Sequence, residues 1–336
     1  MNRPPRLTRR RNRKHRAFYT SQSAMDNLGF TLTSDSMGHF RDAPWPMVLM
    51  AFLGLAGETL YPVLLRLVVW ALWRLAPGGS RTRDSLRFLL DHPRRCYTLL
   101  FPGGTTWALL GIIAALSCVD TLLIVGLDWG SAEVAGLSPG QRLAAALFQA
   151  AAARHAGMTP YNLAAVSPAV QFSLLVMMYI SIYPIAMSIR TSNAYERRPV
   201  GVYRPEPVYD EDRGGSYLVR HMQQQLSFDL WYIFLGIFLL SISESAKIKD
   251  RNEPSFAIFP IFFEVVSAYC NVGISLGHPS VNSALSTKFS VVGKLIVCAM
   301  MIRGRHRGLP HHLDRAIMLP DEHLLVDAEP DERVRP

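Results

Sequence analysis

The stretch 256–277, FAIFPIFFEVVSAYCNVGISLG, decides the fold. Its apolar part, 256–269, is too short to cross the hydrocarbon core of a bilayer, which takes about 20 residues of helix. The run stops at a turn carrying Gly273. Such a segment can enter a membrane and turn back, provided its bared backbone lines a cavity or packs against protein. The same pattern occurs twice more. Asn27-Leu28-Gly29-Phe30 and His155-Ala156-Gly157-Met158 match Asn271-Val272-Gly273-Ile274 in following a short apolar stretch and preceding a long one. For the middle loop the short stretch is 141–153. Gly29 and Gly157 lie 128 residues apart, and Gly157 and Gly273 lie 116 apart. That period is too long and irregular for a solenoid, but it suits a unit of helix, re-entrant loop and helix. The first unit lacks its leading helix.

Around these loops lie five apolar runs long enough to span: 45–75, 104–127, 167–189, 226–245 and, less cleanly bounded, 282–302. The chain has 336 residues, 49% of them hydrophobic and only 18% charged, which sets it apart from ordinary soluble domains. Its net charge of +9 is a tail property, because residues 1–16 hold eight Lys or Arg and no acid. No h-region follows that tail, so it is not a signal peptide. No aromatic interleaving or nucleic-acid fold signature follows it either. Lysine and arginine counts in the loops set the expected orientation. Segment 76–96 has five, 190–225 has six and the tail from Arg303 has six, whereas 130–140 has none and 246–255 has three. The richer segments are expected in the cytoplasm, and the last two re-entrant loops enter from outside. The four cysteines lie far apart without a C-x-x-C, so neither a disulfide framework nor a zinc site is indicated.

The chemistry suited to such loops is cation dehydration. Rings of backbone carbonyl oxygens can replace an ion's water shell. Glycine permits the backbone to turn those carbonyls inward, and the negative end of the preceding helix points at the ion. A lone glycine of this kind is ordinarily a helix breaker between buried segments. Three in matching positions favour the pore reading. Charged groups within apolar runs are candidates for function: Lys294 in the last run, Glu58 and Arg66 eight residues apart in the first, and Arg154, Glu264 and Asp120 beside the loops. Arg154 and Glu264 are expected to orient pore helices, and Asp120 to cap or pair near a helix end. The cluster His306, His311, His312 and Asp314 has no metal-site spacing. No G-x-S-x-G, P-loop or strand-borne G-x-G-x-x-G occurs, so no enzyme is indicated.

Longer strings carry a resemblance. Asp26-Asn27-Leu28-Gly29-Phe30-Thr31-Leu32-Thr33, with Asp35-Ser36-Met37, resembles the second filter loop of fungal Trk potassium transporters. Phe148-Gln149-Ala150-Ala151 with Arg154 and Ala156-Gly157 is similar to that family's third loop, and 177–188 to the helix after it. Phe263-Glu264-Val265-Val266-Ser267-Ala268-Tyr269, then Val272-Gly273 and Ser275-Leu276-Gly277, resembles the fourth. Met300-Met301-Ile302-Arg303-Gly304-Arg305-His306-Arg307-Gly308-Leu309-Pro310 resembles the segment closing the last helix. The likeness runs from Phe18 to Pro320.

The resemblance implies four filter loops around a pseudo-fourfold axis, of which this chain shows three. It assigns the ion filter to Asn27, Leu28, Gly29, His155, Ala156, Gly157, Asn271, Val272 and Gly273, with potassium as the ion held there. It makes Lys294 a cation projecting into the pore below the filter as an electrostatic barrier; the plainer alternative is a lysine snorkelling to the interface. Three sites depart from the family pattern. Cys270-Asn271 replaces Gly-Thr, His155 replaces a small residue, and Glu58 replaces the asparagine of Gly-Asn-Thr. A protonated imidazole at His155 would repel cations.

The expected fold is an all-α polytopic membrane protein with about five spanning helices and three pore loops in helix–loop–helix repeats. Residues 1–17 are expected to be a disordered basic tail, 18–75 a partial second repeat and 76–96 a cytoplasmic linker. The third repeat takes 97–190, a cytoplasmic loop 191–225, the fourth repeat 226–303 and a cytoplasmic tail 304–336. The expected activity is potassium transport in the plasma membrane, with lipid as the surroundings, no cofactor and no nucleic-acid partner; self-association stays open. Two other readings also stay open: a truncated, non-conducting homologue that associates with intact transporters, and an incomplete gene model.

Overall fold

A computed structural model describes residues 6–33, 35–131, 134–180, 185, 188, 229–250 and 252–306. Among them the regular structure is helical, apart from an isolated bridge between His278 and Val281. The first helix, α1 (Arg6–Met25), occupies most of the segment expected as a disordered tail. It contains neither Gly nor Pro, and six of its 20 residues are Arg, which loses little on entering a helix.

The run expected as one span over 45–75 is instead two helices, α2 (Pro44–Gly57) and α3 (Tyr61–Leu75), bent by 88° at the break between them. Pro62 sits in the first turn of α3, where its missing N–H is tolerated but a continuous helix through it is not. The run is also longer than a single crossing needs. Next, α4 (Arg81–Asp91) packs on α3 within the expected linker. Ser80 caps it, with Oγ accepting from the Arg83 N–H at 3.3 Å.

α5 (Gly103–Leu127) is 25 residues long, with a mean hydropathy of 2.4 over its most apolar window. Among the described residues it is the single helix long and apolar enough to cross a membrane, and the bent α2–α3 pair passes the same test if taken together. α6 (Pro139–Ala152) begins at Ser138, whose N–H donates to Gln141 Oε1 at 2.8 Å. α7 (Pro168–Ile180) covers the first part of the run 167–189, most of whose remainder lies outside the described residues, as does the expected cytoplasmic loop 191–225. α8 (Asp229–Ser243) and α9 (Ile258–Tyr269) follow. α10 (Val291–Arg305) starts nine residues later than the expected run, because 282–290 is taken up by a loop, a 3₁₀ turn at Leu285–Lys288 and Ser290, whose Oγ accepts from the Gly293 N–H. The five spans expected from the sequence are therefore represented by one long helix, one bent pair and helices of 13 to 15 residues in α7, α8 and α10.

Three apolar clusters hold these elements together. Ala24, Met47, Ala51 and Phe148 join α1, α2 and α6. Leu174, Leu240, Val265 and Met300 join α7, α8, α9 and α10. Val63, Phe101, Leu109 and Ile113 join α3 to α5. The outer faces are apolar too, with Trp107, Leu122, Trp231, Phe238, Val292 and Leu295 all exposed. A helix set that is apolar both inside and outside has hydrocarbon as its natural solvent.

Candidate functional site

α1, α6 and α9 each end four or five residues before a filter glycine. At the end of α1 the Leu28 N–H donates to Ser23 O at 2.9 Å, and at the end of α9 the Val272 N–H donates to Ser267 O at 3.0 Å. Asn27 and Asn271 sit between them with φ of 54° and 56°. This is a helix C-cap with a left-handed residue just past the end, a conformation asparagine tolerates better than most side chains. The middle loop differs. Ala156 N–H donates to Ala152 O at 3.2 Å, which carries the helical pattern on past α6, and His155 at the matching position is not left-handed.

The three loops then meet. Gly29, Gly157 and Gly273 have φ of 73°, 65° and 87°. A Cβ built on Gly157 would lie 2.6 Å from Val272 O, 3.2 Å from Gly29 Cα and 3.7 Å from Gly273 Cα. One built on Gly29 would lie 3.3 Å from Ala156 O and 3.5 Å from Gly157 O. Glycines 128 and 116 residues apart thus touch through bare backbone, with carbonyl oxygens among them.

The flanking helices repeat a second feature. A Cβ on Gly57, the last residue of α2, would fall on the Met25 carbonyl at the end of α1, and one on Gly304 in α10 would fall on the Tyr269 carbonyl at the end of α9. α1 with α2, and α9 with α10, therefore bring their C-terminal ends together, so the chain reverses around Gly29 and again around Gly273. Ser267 Oγ accepts from the Gly273 N–H at 3.1 Å. Glu264 accepts from Ser275 Oγ at 2.6 Å and from the Ser286 N–H at 3.0 Å, which ties α9 to the chain beyond the glycine.

Of the filter residues expected from sequence, Ala156 and Val272 are buried and Leu28 is exposed. Asn271 Nδ2 donates to Tyr269 O at 3.4 Å and to Met301 O at 3.3 Å. Lys294 is exposed near the start of α10, ten residues before the Gly304 that abuts the loop. Two other basic residues of α10, Arg303 and Arg305, lie in its last turn on either side of Gly304, and Arg303 stacks on the Tyr232 ring at 4.4 Å. Asp120 lies within α5 rather than near its end and pairs with Arg154 at 3.6 Å, both side chains 1% exposed. Ser173 Oγ also donates to Asp120, at 3.3 Å. Arg66 Nη1 donates to Phe101 O at 2.8 Å. Sequence reasoning missed the partner of Glu58. Its Oε2 lies 3.1 Å from His155 Nδ1, so two of the three departures from the family pattern meet in space.

The family model described as "TrkH: Cation transport protein" matches residues 7–325. The chain is 46% identical to the "Potassium transporter TRK1" of Candida albicans, over 91% of this chain and 29% of that protein. It is 43% identical to the "Low-affinity potassium transport protein" of Saccharomyces cerevisiae, over 91% of this chain and 38% of that one. It is also 43% identical to the "Potassium transport protein 1" of Schizosaccharomyces pombe, over 94% and 37% respectively. The chain thus spans between 29% and 38% of the length of these relatives. A match along nearly all of the chain makes it a member of the TrkH cation transport family, of the fungal Trk type.

Proposed function

We propose that the chain carries potassium across the plasma membrane, with the carbonyls around Gly29, Gly157 and Gly273 supplying the ion's ligands. The observation that carries this reading is the meeting of the three glycines through their backbones. A helix breaker has no reason to seek out two others more than a hundred residues away, whereas an ion filter requires it. Three further features support it. The positive φ values free the carbonyls from helical hydrogen bonding. α1 and α9 direct their carbonyl ends at the meeting point, as does the helical turn after α6, and these ends carry partial negative charge. The relatives are named for potassium transport. Catalysis has no part in this reading: the ion crosses unchanged, and the protein's task is to replace its water.

The test is complementation. Expressed in cells stripped of their own potassium uptake, the chain restores growth on low potassium, and Gly157→Ala abolishes that growth at equal surface abundance. Wild-type chain that reaches the surface without supporting growth overturns conduction.

A further inference from the structure

The third and fourth loops are held from behind in the same way. Each pore helix carries a Phe followed by an amide or an acid, Phe148-Gln149 in α6 and Phe263-Glu264 in α9. Two residues beyond each filter glycine stands a hydroxyl, Thr159 after Gly157 and Ser275 after Gly273. Thr159 Oγ1 lies 2.9 Å from Gln149 Oε1, and Ser275 Oγ donates to Glu264 Oε2 at 2.6 Å. Gln149 and Glu264 are both buried. Gln149 precedes its glycine by eight residues and Glu264 by nine. The extra residue is taken up where the left-handed Asn271 follows α9, whereas the chain after α6 keeps the helical pattern to Ala156. Five residues after Gln149 and after Glu264, a second tie reaches the preceding helix. Arg154 pairs with Asp120 of α5 at 3.6 Å, and Tyr269 Oη donates to Asp229 of α8 at 2.8 Å. Gly157 and Gly273 therefore each sit between two fixed points.

We propose that the contacts of Gln149 with Thr159 and of Glu264 with Ser275 clamp the filter and set its preference for potassium over sodium. The inference deepens the permeation reading above and rests on it. Sodium is the smaller ion, so carbonyls that replace its water must close in further than they do around potassium. A loop free to shift accommodates either ion, whereas one tied on both sides of its glycine keeps the wider spacing. The bonds around the clamps suit this task. Ser275 Oγ also accepts from the N–H groups of Gly277 and Leu285, each at 3.0 Å, and Glu264 Oε1 accepts from the Ser286 N–H at 3.0 Å. The limb that leaves Gly273 is thus fixed at several points. The Thr159 N–H donates to Ser36 Oγ at 3.1 Å, and Thr159 O accepts from the Met37 N–H at 3.1 Å, which passes the constraint to the first loop. That loop has a hydroxyl at the same place, Thr31, but it donates to Thr33 O at 2.8 Å and not to a pore helix. Gln149 and Glu264 are positioning residues: they hold the limb beyond the glycine and do not touch the ion.

The experiment is thermal melting of the full chain in detergent, titrated with potassium and with sodium against a choline background. In the wild type, half of the melting shift is reached at a lower concentration of potassium than of sodium. Thr159→Val and Ser275→Ala remove the clamping hydroxyls and lower the sodium-to-potassium ratio of those concentrations about fivefold, the factor that one ordinary hydrogen bond carries. Thr159→Ser and Ser275→Thr keep the hydroxyls and with them the wild-type ratio. If Thr159→Val and Ser275→Ala melt lower in all three salts at an unchanged ratio, the bonds are merely structural and the clamp is overturned. A wild type that responds equally to the two ions also overturns it and leaves permeation standing. A chain that melts cooperatively with no shift in either salt overturns permeation, and the clamp falls with it. Hydrogen exchange of the unsubstituted chain covers the case in which the variants fail to fold. Peptides spanning 275–286 exchange slowly in choline, and exchange at the rate of an unstructured peptide overturns the clamp.

Discussion

A methyl group added at Gly157 would press on Val272 O and on the Gly29 Cα, at a φ that side chains rarely adopt. The left-handed conformation alone costs about 1–2 kcal/mol for an ordinary residue. Gly157→Ala is therefore expected to reduce potassium uptake at least tenfold at unchanged surface abundance, measured with a tracer ion. Asp120→Asn tests a different residue-scale feature. It leaves the guanidinium of Arg154 buried beside a neutral amide, and breaking a buried pair in this way destabilises by about 3–5 kcal/mol. A lowered melting temperature in detergent checks it, and a melt equal to wild type would show that Arg154 finds its compensation elsewhere. The glycines were legible in the sequence because backbone freedom is a property of one residue. The partners of Asp120 and Glu58 were not, because a charge in an apolar run announces only that it needs a partner.

Among the elements, the short helices before Gly157 and Gly273 fell where their apolar lengths put them. The run 45–75 did not hold as one helix. Hydropathy measures transfer from water and is blind to a bend, whereas Pro62 and the pressure of Gly57 on Met25 decide the local geometry. The C-caps give an element-scale prediction. Asn271→Gly keeps the left-handed residue after α9 and melts within about 1 kcal/mol of wild type, while Asn271→Val, whose branched side chain disfavours that conformation, loses about 1–2 kcal/mol. If the two substitutions melt alike, the left-handed cap contributes little. Gly304→Ala is expected to be worse than either, since its methyl group would fall on the Tyr269 carbonyl at the foot of α9. Its signature is a reduced yield of folded protein on size-exclusion chromatography.

For the whole molecule, the topology expected from lysine and arginine counts makes a labelling prediction. Cys96 is exposed, in the segment 76–96 that the counts place in the cytoplasm, whereas Ser280 lies in the loop after the last filter glycine. In intact cells an impermeant thiol reagent should label Ser280→Cys and spare Cys96, and a permeant reagent should reach both. Labelling of Cys96 from outside would invert the orientation. Periodicity and composition were enough to class the chain as a helical membrane protein and to name three loop glycines, because apolar length and backbone permissiveness are written residue by residue. Tertiary structure alone decided that the glycines meet, that Glu58 pairs with His155 and that Asp120 pairs with Arg154. Those outcomes depend on the directions in which packed helices present their side chains across separations of tens of residues to more than a hundred, which no local pattern in the chain encodes.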